Sequence, residues 1–161
     1  MILVTLGTQK FKMNRVISAI DKLYEKKVFK KEEVIIQNGY SKESLYFNCY
    51  KMLGREKFDE LIEKADIIIC HGGTSSIISS LKKQKKVIAI PRDVKFNEHV
   101  DNHQFEIVSV FHDQGYIEMV TDVKELGKKL EEIKGKKFKV YEQKGDLARH
   151  IVKEIVLKGS H

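Results

Sequence analysis

The fold is decided by residues 66–76, Asp66-Ile67-Ile68-Ile69-Cys70-His71-Gly72-Gly73-Thr74-Ser75-Ser76. The first part of this stretch is a near-continuous apolar run, which is typical of a strand buried on both faces of a parallel sheet. The second part is a glycine turn followed by hydroxyl residues, and the next apolar side chains, Ile77, Ile78 and Leu81, follow at helical spacing. The stretch therefore predicts a buried strand, a tight turn and the start of a helix.

Strand and helix patterns alternate on both sides of this stretch. Short β-rich runs predict strands at 1–6, 34–36, 45–50, 87–90 and 117–120. Periodic apolar stripes predict helices at 14–26, 58–64, 97–111, 123–133 and about 145–157. This alternation predicts an α/β fold, with a Rossmann-like, mostly parallel sheet and helices on both faces, in a single domain over residues 1–161.

The last predicted helix has two possible placements. It follows a basic, glycine-bearing stretch at 134–144, which is the most linker-like part of the chain. Its apolar stripe packs either on its own domain or on a partner protein, and both placements agree with the sequence.

Composition excludes several classes of protein. The 161 residues include 42% hydrophobic and 33% charged residues and one proline, which is typical of a soluble globular domain. Two cysteines are too few for a disulfide framework, so we expect a reducing, cytoplasmic compartment. The first residues enter a strand directly, which predicts no secretory leader, and no apolar run reaches the roughly 18–20 residues that cross a bilayer. Membrane association is expected to be peripheral, through a partner.

The formal net charge is +7, and lysines dominate the positive charge. Several of them lie on the polar sides of amphipathic segments, so we expect mainly a solvated face. Attraction to an anionic membrane is the alternative, since each basic residue near a bilayer contributes about 1 kcal/mol. A nucleic-acid-binding module is not expected, because the chain lacks aromatic-rich and recognition-helix motifs.

The turn at 71–76 has the features of an anion site. A helix N-terminus presents backbone N–H groups without partners and a partial positive charge, and glycines let a ligand approach the backbone closely. Thr74, Ser75 and Ser76 add hydroxyls, so the turn is suited to a diphosphate. Neither a GxGxxG fingerprint nor a P-loop is present, and an ordinary capped turn between strand and helix is the alternative.

Other polar segments also follow predicted strands. Ligands in open α/β sheets bind outside the carboxyl ends of the strands. Gly7-Thr8, Gln37-Asn38-Gly39 and Pro91-Arg92 are all post-strand segments, and the polar stretch 97–104 follows the last of them. Its amide, carboxylate and imidazole groups can hydrogen-bond sugar hydroxyls. These segments together predict a binding site at one edge of the sheet.

At these residues the chain resembles the C-terminal, donor-binding domain of glycosyltransferase family 28, which has the GT-B fold. The resemblance covers nearly the whole chain. It is carried by Leu3-Val4-Thr5-Leu6-Gly7-Thr8, by Ala65-Asp66-Ile67-Ile68-Ile69-Cys70-His71-Gly72-Gly73 and by Glu98-His99-Val100-Asp101-Asn102-His103-Gln104. The chain is most similar to stand-alone small subunits of this family. These include the subunits of the dolichol-linked N-acetylglucosaminyltransferase and of bacterial exopolysaccharide and capsule β-1,4-galactosyltransferases.

The resemblance implies donor-binding roles for several residues. Gly7 and Thr8 are expected near the donor phosphates, and Gln37 and Gly39 beside the nucleoside. The diphosphate is expected on the glycine turn and helix start, held by His71, Gly72, Gly73, Thr74, Ser75 and Ser76. His71 is a candidate hydrogen-bond donor to a phosphate oxygen.

The resemblance also implies contacts to the donor sugar. Asp101, Asn102 and Gln104 are expected to face it. Arg92 either pairs with phosphate or braces its own loop. Related sequences often carry a ribose-binding glutamate on the helix after the glycine turn, but the matching position here is Ser79.

No metal or cofactor is expected. His99, a further donor-binding candidate at this edge, lies four residues before His103 on a predicted helix. No third ligand with suitable spacing is evident to complete a zinc site. The helix N-terminus supplies positive potential for a departing diphosphate without a metal.

The resemblance implies a UDP-sugar-dependent hexosyltransferase of two components, with this chain as the donor-binding subunit. A GT-B enzyme reacts in the cleft between two domains, and this chain accounts for one of them. The general base is therefore expected on a second, membrane-anchored polypeptide that binds a lipid-linked glycan acceptor. The donor is UDP-N-acetylglucosamine or UDP-galactose, and the setting is polysaccharide or glycan biosynthesis at the cytoplasmic membrane face. The alternative function is a non-catalytic enhancer that stabilises or activates a partner glycosyltransferase.

Overall fold

The computed structural model describes residues 1–142. Its strands are β1 (Ile2–Thr5), β2 (Val34–Gln37), β3 (Cys49–Tyr50), β4 (Ile67–His71), β5 (Lys86–Ile90) and β6 (Glu118–Met119). Its α-helices are α1 (Asn14–Glu25), α2 (Arg55–Lys64), α3 (Thr74–Lys82), α4 (His103–Asp113) and α5 (Leu126–Lys134). Short 3₁₀ helices lie at Lys31–Glu33, Val94–Phe96 and Val123–Glu125. The helix predicted at about 145–157 lies outside the described residues.

The six strands form one sheet with the order β3-β2-β1-β4-β5-β6, and all neighbouring strands are parallel. This confirms the predicted Rossmann-like parallel sheet. Thr5 at the end of β1 lies between Gln37 of β2 and Cys70 of β4. The strand order reverses between β1 and β4, and the crevice at such a switch point is where open α/β sheets bind ligands.

Helices cover both faces of the sheet. Val4 and Ile69 pack on one side with apolar residues of α1 and α5. Leu3 and Ile68 pack on the other side with residues of α2, α3 and α4. Because alternate residues of one strand point to opposite faces, burial on both sides accounts for the continuous apolar run of β4. Within the described part of the chain, no helix is both long and apolar enough to cross a membrane.

The third strand is shorter than predicted. The pattern at 45–50 predicts a strand, but only Cys49–Tyr50 pairs with β2. The hydroxyl of Ser44 accepts hydrogen bonds from the backbone N–H groups of Tyr46 at 3.1 Å and Phe47 at 3.0 Å. These local bonds hold the chain in a turn, and they replace the ladder bonds that a longer strand would make.

The helix predicted at 97–111 is wrong in its first part, because α4 begins only at His103. The Asp93 carboxylate accepts from the N–H of Lys95 at 3.0 Å and caps the 3₁₀ helix that follows β5. Asn97 then takes a left-handed conformation with φ 58°, which ends that turn. Asparagine tolerates this conformation better than most residues, so turn chemistry overrides the helical periodicity.

Candidate functional site

A cavity of about 480 Å³ opens at the carboxyl edge of the sheet, where β1 and β4 end side by side. Eight residues that the sequence predicts for donor binding line it: Gly7, Thr8, Gln37, His71, Gly73, Ser75, Ser76 and Gln104. The fold therefore brings the ends of β1, β2 and β4 together with the starts of α3 and α4.

The start of α3 offers backbone N–H groups to this cavity. Gly73 precedes the helix with φ −75° and ψ 129°, and no side chain caps it. The N–H of Ile77 donates to the carbonyl of Gly73 at 3.2 Å, where the helical ladder begins. Within residues 1–142, no group accepts from the N–H groups of Gly73, Thr74, Ser75 and Ser76. These donors and the positive end of the helix dipole suit a diphosphate.

The position of the His71 ring requires glycine on both sides of it. A Cβ atom on Gly73 would lie 2.2 Å from Cε1 of His71, and one on Gly7 would lie 2.7 Å from Nε2. Gly39 has φ 56°, and a Cβ there would lie 2.3 Å from the carbonyl oxygen of Gly7. Only glycine fits these close approaches, so the turns after β1 and β4 pack closely around the ring and the turn after β2 packs against the turn after β1.

Gln37 shapes the turn after β1. Its Oε1 accepts from Oγ1 of Thr5 at 2.8 Å and from the N–H of Gly7 at 3.2 Å. Its Nε2 donates to the carbonyls of Gly7 at 2.9 Å and Lys51 at 3.0 Å. Both ends of this side-chain amide are engaged within the protein. Gln37 therefore fixes the wall of the cavity, and its expected position beside the nucleoside stays a prediction.

Gln104 joins the turn after β4 to the loop after β5. Its Oε1 accepts from the backbone N–H groups of Gly72 and Arg92, both at 3.0 Å. The N–H of Gly72 is therefore occupied by the protein, in contrast to the N–H groups that follow it. A Cβ on Gly72 would lie 2.8 Å from Cβ of Gln104, so glycine is needed for this contact as well.

Arg92 braces the loop after β5, which is one of the two roles expected for it. The side chain is fully buried and does not line the cavity. Nη2 donates to the carbonyl of Leu6 at 2.5 Å, and Nη1 donates to the carbonyls of Phe11 at 2.9 Å and Glu98 at 3.2 Å. The carboxylate of Glu98 forms a two-bond ion pair with Arg15, with both distances at 2.9 Å. Glu98 belongs to a segment that carries the family resemblance, but no sequence pattern predicts its ion pair with Arg15.

The residues at 99–102 do not line the cavity. Oδ1 of Asp101 accepts from the N–H of His103 at 3.0 Å and lies 3.2 Å from Nδ1 of His99. Oδ1 of Asn102 accepts from the N–H of Val94 at 3.1 Å. Contacts from His99, Asp101 and Asn102 to a sugar therefore stay predictions. Among the described residues, no three His, Cys, Asp or Glu side chains are grouped to hold a metal ion.

The cavity includes six residues that are not sequence candidates for donor binding: Thr5, Gln9, Leu53, Arg55, Phe58 and Ser79. Leu53 lies in the loop after β3, and Arg55 and Phe58 lie in the first turn of α2. No sequence motif predicts these three residues as part of the site. The one indication in the sequence is that they follow a predicted strand, and so lie at the carboxyl edge of the sheet. Ser79, the position that the resemblance matches to a ribose-binding glutamate, also lines the cavity.

His71 is expected to make stability depend on pH. Burial, with a smaller contribution from the charge of Arg92, lowers the pKa of His71 from 6.5 to about 4. The unfolded chain therefore binds this proton more readily, so the stability due to neutral His71 is full above pH 6.5, declines as the pH falls from 6.5 toward 4 and is lost once the pH has fallen through 4. The loss attributable to His71 is expected to reach about 3 kcal/mol.

Urea unfolding of the wild type and of His71→Asn at pH 7 and pH 4.5 measures this loss. The wild type is expected to lose more free energy of unfolding than the variant over this interval, since the other titrating groups are common to both. Equal losses in the two proteins would show that the His71 imidazole is not kept neutral by its surroundings.

Comparison with known proteins identifies related sequences. A model described as the glycosyltransferase family 28 C-terminal domain matches residues 1–157. The UDP-N-acetylglucosamine transferase subunit ALG13 of Homo sapiens is 28% identical over 125 residues, which are 72% of this chain and 10% of that protein. Its Mus musculus counterpart is 26% identical over 83 residues, which are 52% of this chain and 7% of that protein. The chain spans about a tenth, or less, of the length of these curated relatives.

Solved structures show the same fold. An NMR solution structure of ALG13 superposes with a TM-score of 0.63 at 18% identity, covering 96% of each chain. The crystal structure of Acinetobacter baumannii MurG gives a TM-score of 0.54 at 14% identity, covering 96% of this chain and 44% of that chain. The glycotransferase of kitacinnamycin gives 0.59 at 11% identity, covering 99% of this chain and 40% of that chain. The architecture is that of the C-terminal half of a GT-B protein.

Proposed function

The chain belongs to the glycosyltransferase family 28 C-terminal domain family, and on this premise we propose that it is the donor-binding subunit of a two-component glycosyltransferase. It binds a UDP-sugar, and the hexose is transferred only when a second subunit supplies the acceptor. The observation that carries the proposal is the row of N–H groups from Gly73 to Ser76, which have no acceptor among residues 1–142, beside a cavity at the switch point of the sheet.

Transfer breaks the bond between the anomeric carbon of the sugar and the diphosphate. Negative charge develops on the departing diphosphate, and groups that are already oriented toward it lower the barrier. The N–H groups at the start of α3 are fixed by the helix and need no rearrangement to accept this charge. We propose that they hold the diphosphate in the donor complex and stabilise it as it leaves, without a metal ion.

Deprotonation of the acceptor hydroxyl requires a general base, and the cavity is a poor source of one. Among the described residues, its lining contains no Asp or Glu side chain. His71 is the one histidine that lines it in the part of the chain that the structure describes, and burial lowers the pKa of His71 to about 4, well below that of an effective base near neutral pH. The proposal therefore places the base on the acceptor-binding subunit.

The finer features of the reaction follow from the family and its named relatives. The names of the human and mouse relatives favour UDP-N-acetylglucosamine as donor, and UDP-galactose is the second candidate. We propose a lipid-linked glycan acceptor and a membrane-anchored partner, which holds this chain at the cytoplasmic face of the membrane. The process is the biosynthesis of a polysaccharide or glycan.

Calorimetric titration of the isolated chain with UDP tests donor binding. UDP is expected to bind, with the same affinity in EDTA as in excess Mg²⁺, because backbone N–H groups compensate the diphosphate charge. Uridine, which lacks the diphosphate, is the control and is expected to bind at least tenfold more weakly, since each hydrogen bond to a charged group contributes about 1.5–3 kcal/mol. Absence of UDP binding would refute the donor role and favour a non-catalytic enhancer.

A further inference from the structure

The orientation of the Gln104 side-chain amide is fixed by two backbone donors. Its Oε1 lies 3.0 Å from the N–H nitrogens of both Gly72 and Arg92. The opposite orientation would place the NH₂ group against these two N–H groups and would leave both without an acceptor. Because unsatisfied buried donors are costly, the oxygen must face the backbone and Nε2 must face away from it.

Nε2 of Gln104 then faces His71. It lies 3.4 Å from Nδ1 of the imidazole. An amide nitrogen only donates, so Nδ1 must accept and the ring proton must lie on Nε2. The Nε2 edge of the ring packs against Gly7 and Gly73, both of which line the cavity. The N–H of the ring is therefore on the side where the start of α3 offers its own N–H groups.

We propose that Gln104 is a positioning residue, which holds His71 in the neutral Nε2–H tautomer so that the imidazole donates a hydrogen bond to the bound diphosphate. The identity of this ligand rests on the proposed function, whereas the tautomer does not. Through its Oε1, the same side chain also fixes the turn at Gly72. One amide thus sets both the position and the hydrogen-bonding direction of the ring.

The charges around the ring agree with a neutral donor. The guanidinium of Arg92, on the loop after β5, and the imidazole of His99 both oppose protonation of His71. The positive end of α3 acts in the same direction. On the side of α4, the His71 ring contacts the uncharged amide of Gln104. On the side of the turn after β1, it contacts Gly7. The hydrogen bond with Gln104 raises the pKa of His71, but burial and the charge of Arg92 outweigh it, and no carboxylate among residues 1–142 offsets them.

The tautomer can be measured directly by ¹⁵N NMR of the imidazole nitrogens in the full chain. His71 is expected to show an unprotonated Nδ1 and a protonated Nε2 at pH 7. His112 is an internal reference of the opposite kind, because its Nδ1 lies 3.1 Å from the carbonyl oxygen of Ile117 and is expected to carry the proton. A His71 ring protonated on Nδ1 would overturn the proposal without any variant.

Gln104→Glu separates positioning from packing. The carboxylate keeps an acceptor for the N–H groups of Gly72 and Arg92, but it also accepts where the amide donates. His71 is therefore expected to move its proton to Nδ1 or to gain a second one, with a higher pKa. If Gln104→Glu leaves the imidazole signals of His71 unchanged, Gln104 does not set the tautomer and the inference is wrong. A through-hydrogen-bond coupling between Nε2 of Gln104 and Nδ1 of His71 gives the same test in the wild type.

UDP titrations of both proteins separate this inference from the proposed function. We expect Gln104→Glu to bind UDP about tenfold more weakly, and its affinity to vary with pH where that of the wild type does not. Because a carboxylate also repels a diphosphate, the imidazole signals decide the role of Gln104. If the wild type binds no UDP, the proposed function fails, and the NMR result still decides whether Gln104 fixes the tautomer.

Discussion

Gly73→Ala is expected to weaken UDP binding by about 100-fold. The new Cβ would lie 2.2 Å from Cε1 and 2.8 Å from Nε2 of His71, so the ring must move away from its place beside the start of α3. The backbone at Gly73, with φ −75° and ψ 129°, is allowed for alanine. The weaker binding is therefore expected to come from the displaced His71 ring and not from backbone strain. Losing one or two hydrogen bonds to a charged ligand, at about 1.5–3 kcal/mol each, gives a change of this size.

Gly54→Ala is the matched control for this substitution. Gly54 also precedes an α-helix, with φ −63° and ψ 157°, and a Cβ there would meet nothing within 4 Å. Both variants lose glycine at a helix start, but only Gly73→Ala also displaces the buried His71 ring, so Gly73→Ala is expected to be the less stable of the two and both are titrated where they are fully folded. Calorimetric titration with UDP compares them. Wild-type affinity in Gly73→Ala would mean that the ligand does not approach the start of α3.

Arg92→Met is expected to lower the free energy of unfolding by about 3–5 kcal/mol. Methionine fills much of the same volume but donates no hydrogen bond. The carbonyls of Leu6, Phe11 and Glu98 would lose the donors that now reach them inside the protein. Each unsatisfied buried group costs about 1–3 kcal/mol, and a domain of this size is typically stable by only about 5–15 kcal/mol.

Arg55→Met is the control for the Arg92 variant. The Arg55 side chain is 82% exposed, and its Nε lies 3.5 Å from a carboxylate oxygen of Asp59. Such surface pairs contribute about 0–1 kcal/mol, so the control is expected to unfold close to the wild type. Urea denaturation compares the three proteins. A difference of less than about 1 kcal/mol between Arg92→Met and Arg55→Met would show that the buried guanidinium is not the brace of this loop.

The central strands could be predicted closely because their burial leaves a direct pattern. β4 and β5 are covered on both faces, and their continuous apolar runs predict strands at 66–70 and 87–90. The edge of the sheet and the loop after β5 left no such pattern. The Ser44 hydroxyl holds a turn just before β3, and Asn97 ends a short 3₁₀ helix in a left-handed conformation. Each of these features depends on one hydrogen-bonding side chain or one backbone conformation, and the periodicity of apolar residues does not predict either.

The candidate site was predictable where it follows strands and not where it depends on side-chain partners. His71, Gly73 and Gln104 line the cavity because parallel strands end at a common edge. Their actual arrangement depends on hydrogen bonds between segments far apart in the sequence, such as the one from the N–H of Gly72 to Gln104. The buried role of Arg92 is of the same kind, since the carbonyls it reaches come from the turn after β1 and from its own loop.

A crystal structure of the chain with bound UDP tests the central claim most directly. The account predicts diphosphate oxygens at about 2.7–3.1 Å from the backbone nitrogens among Gly73, Thr74, Ser75 and Ser76, with Nε2 of His71 donating to one of them. A diphosphate bound elsewhere, with these N–H groups facing only solvent or other protein atoms, would contradict it.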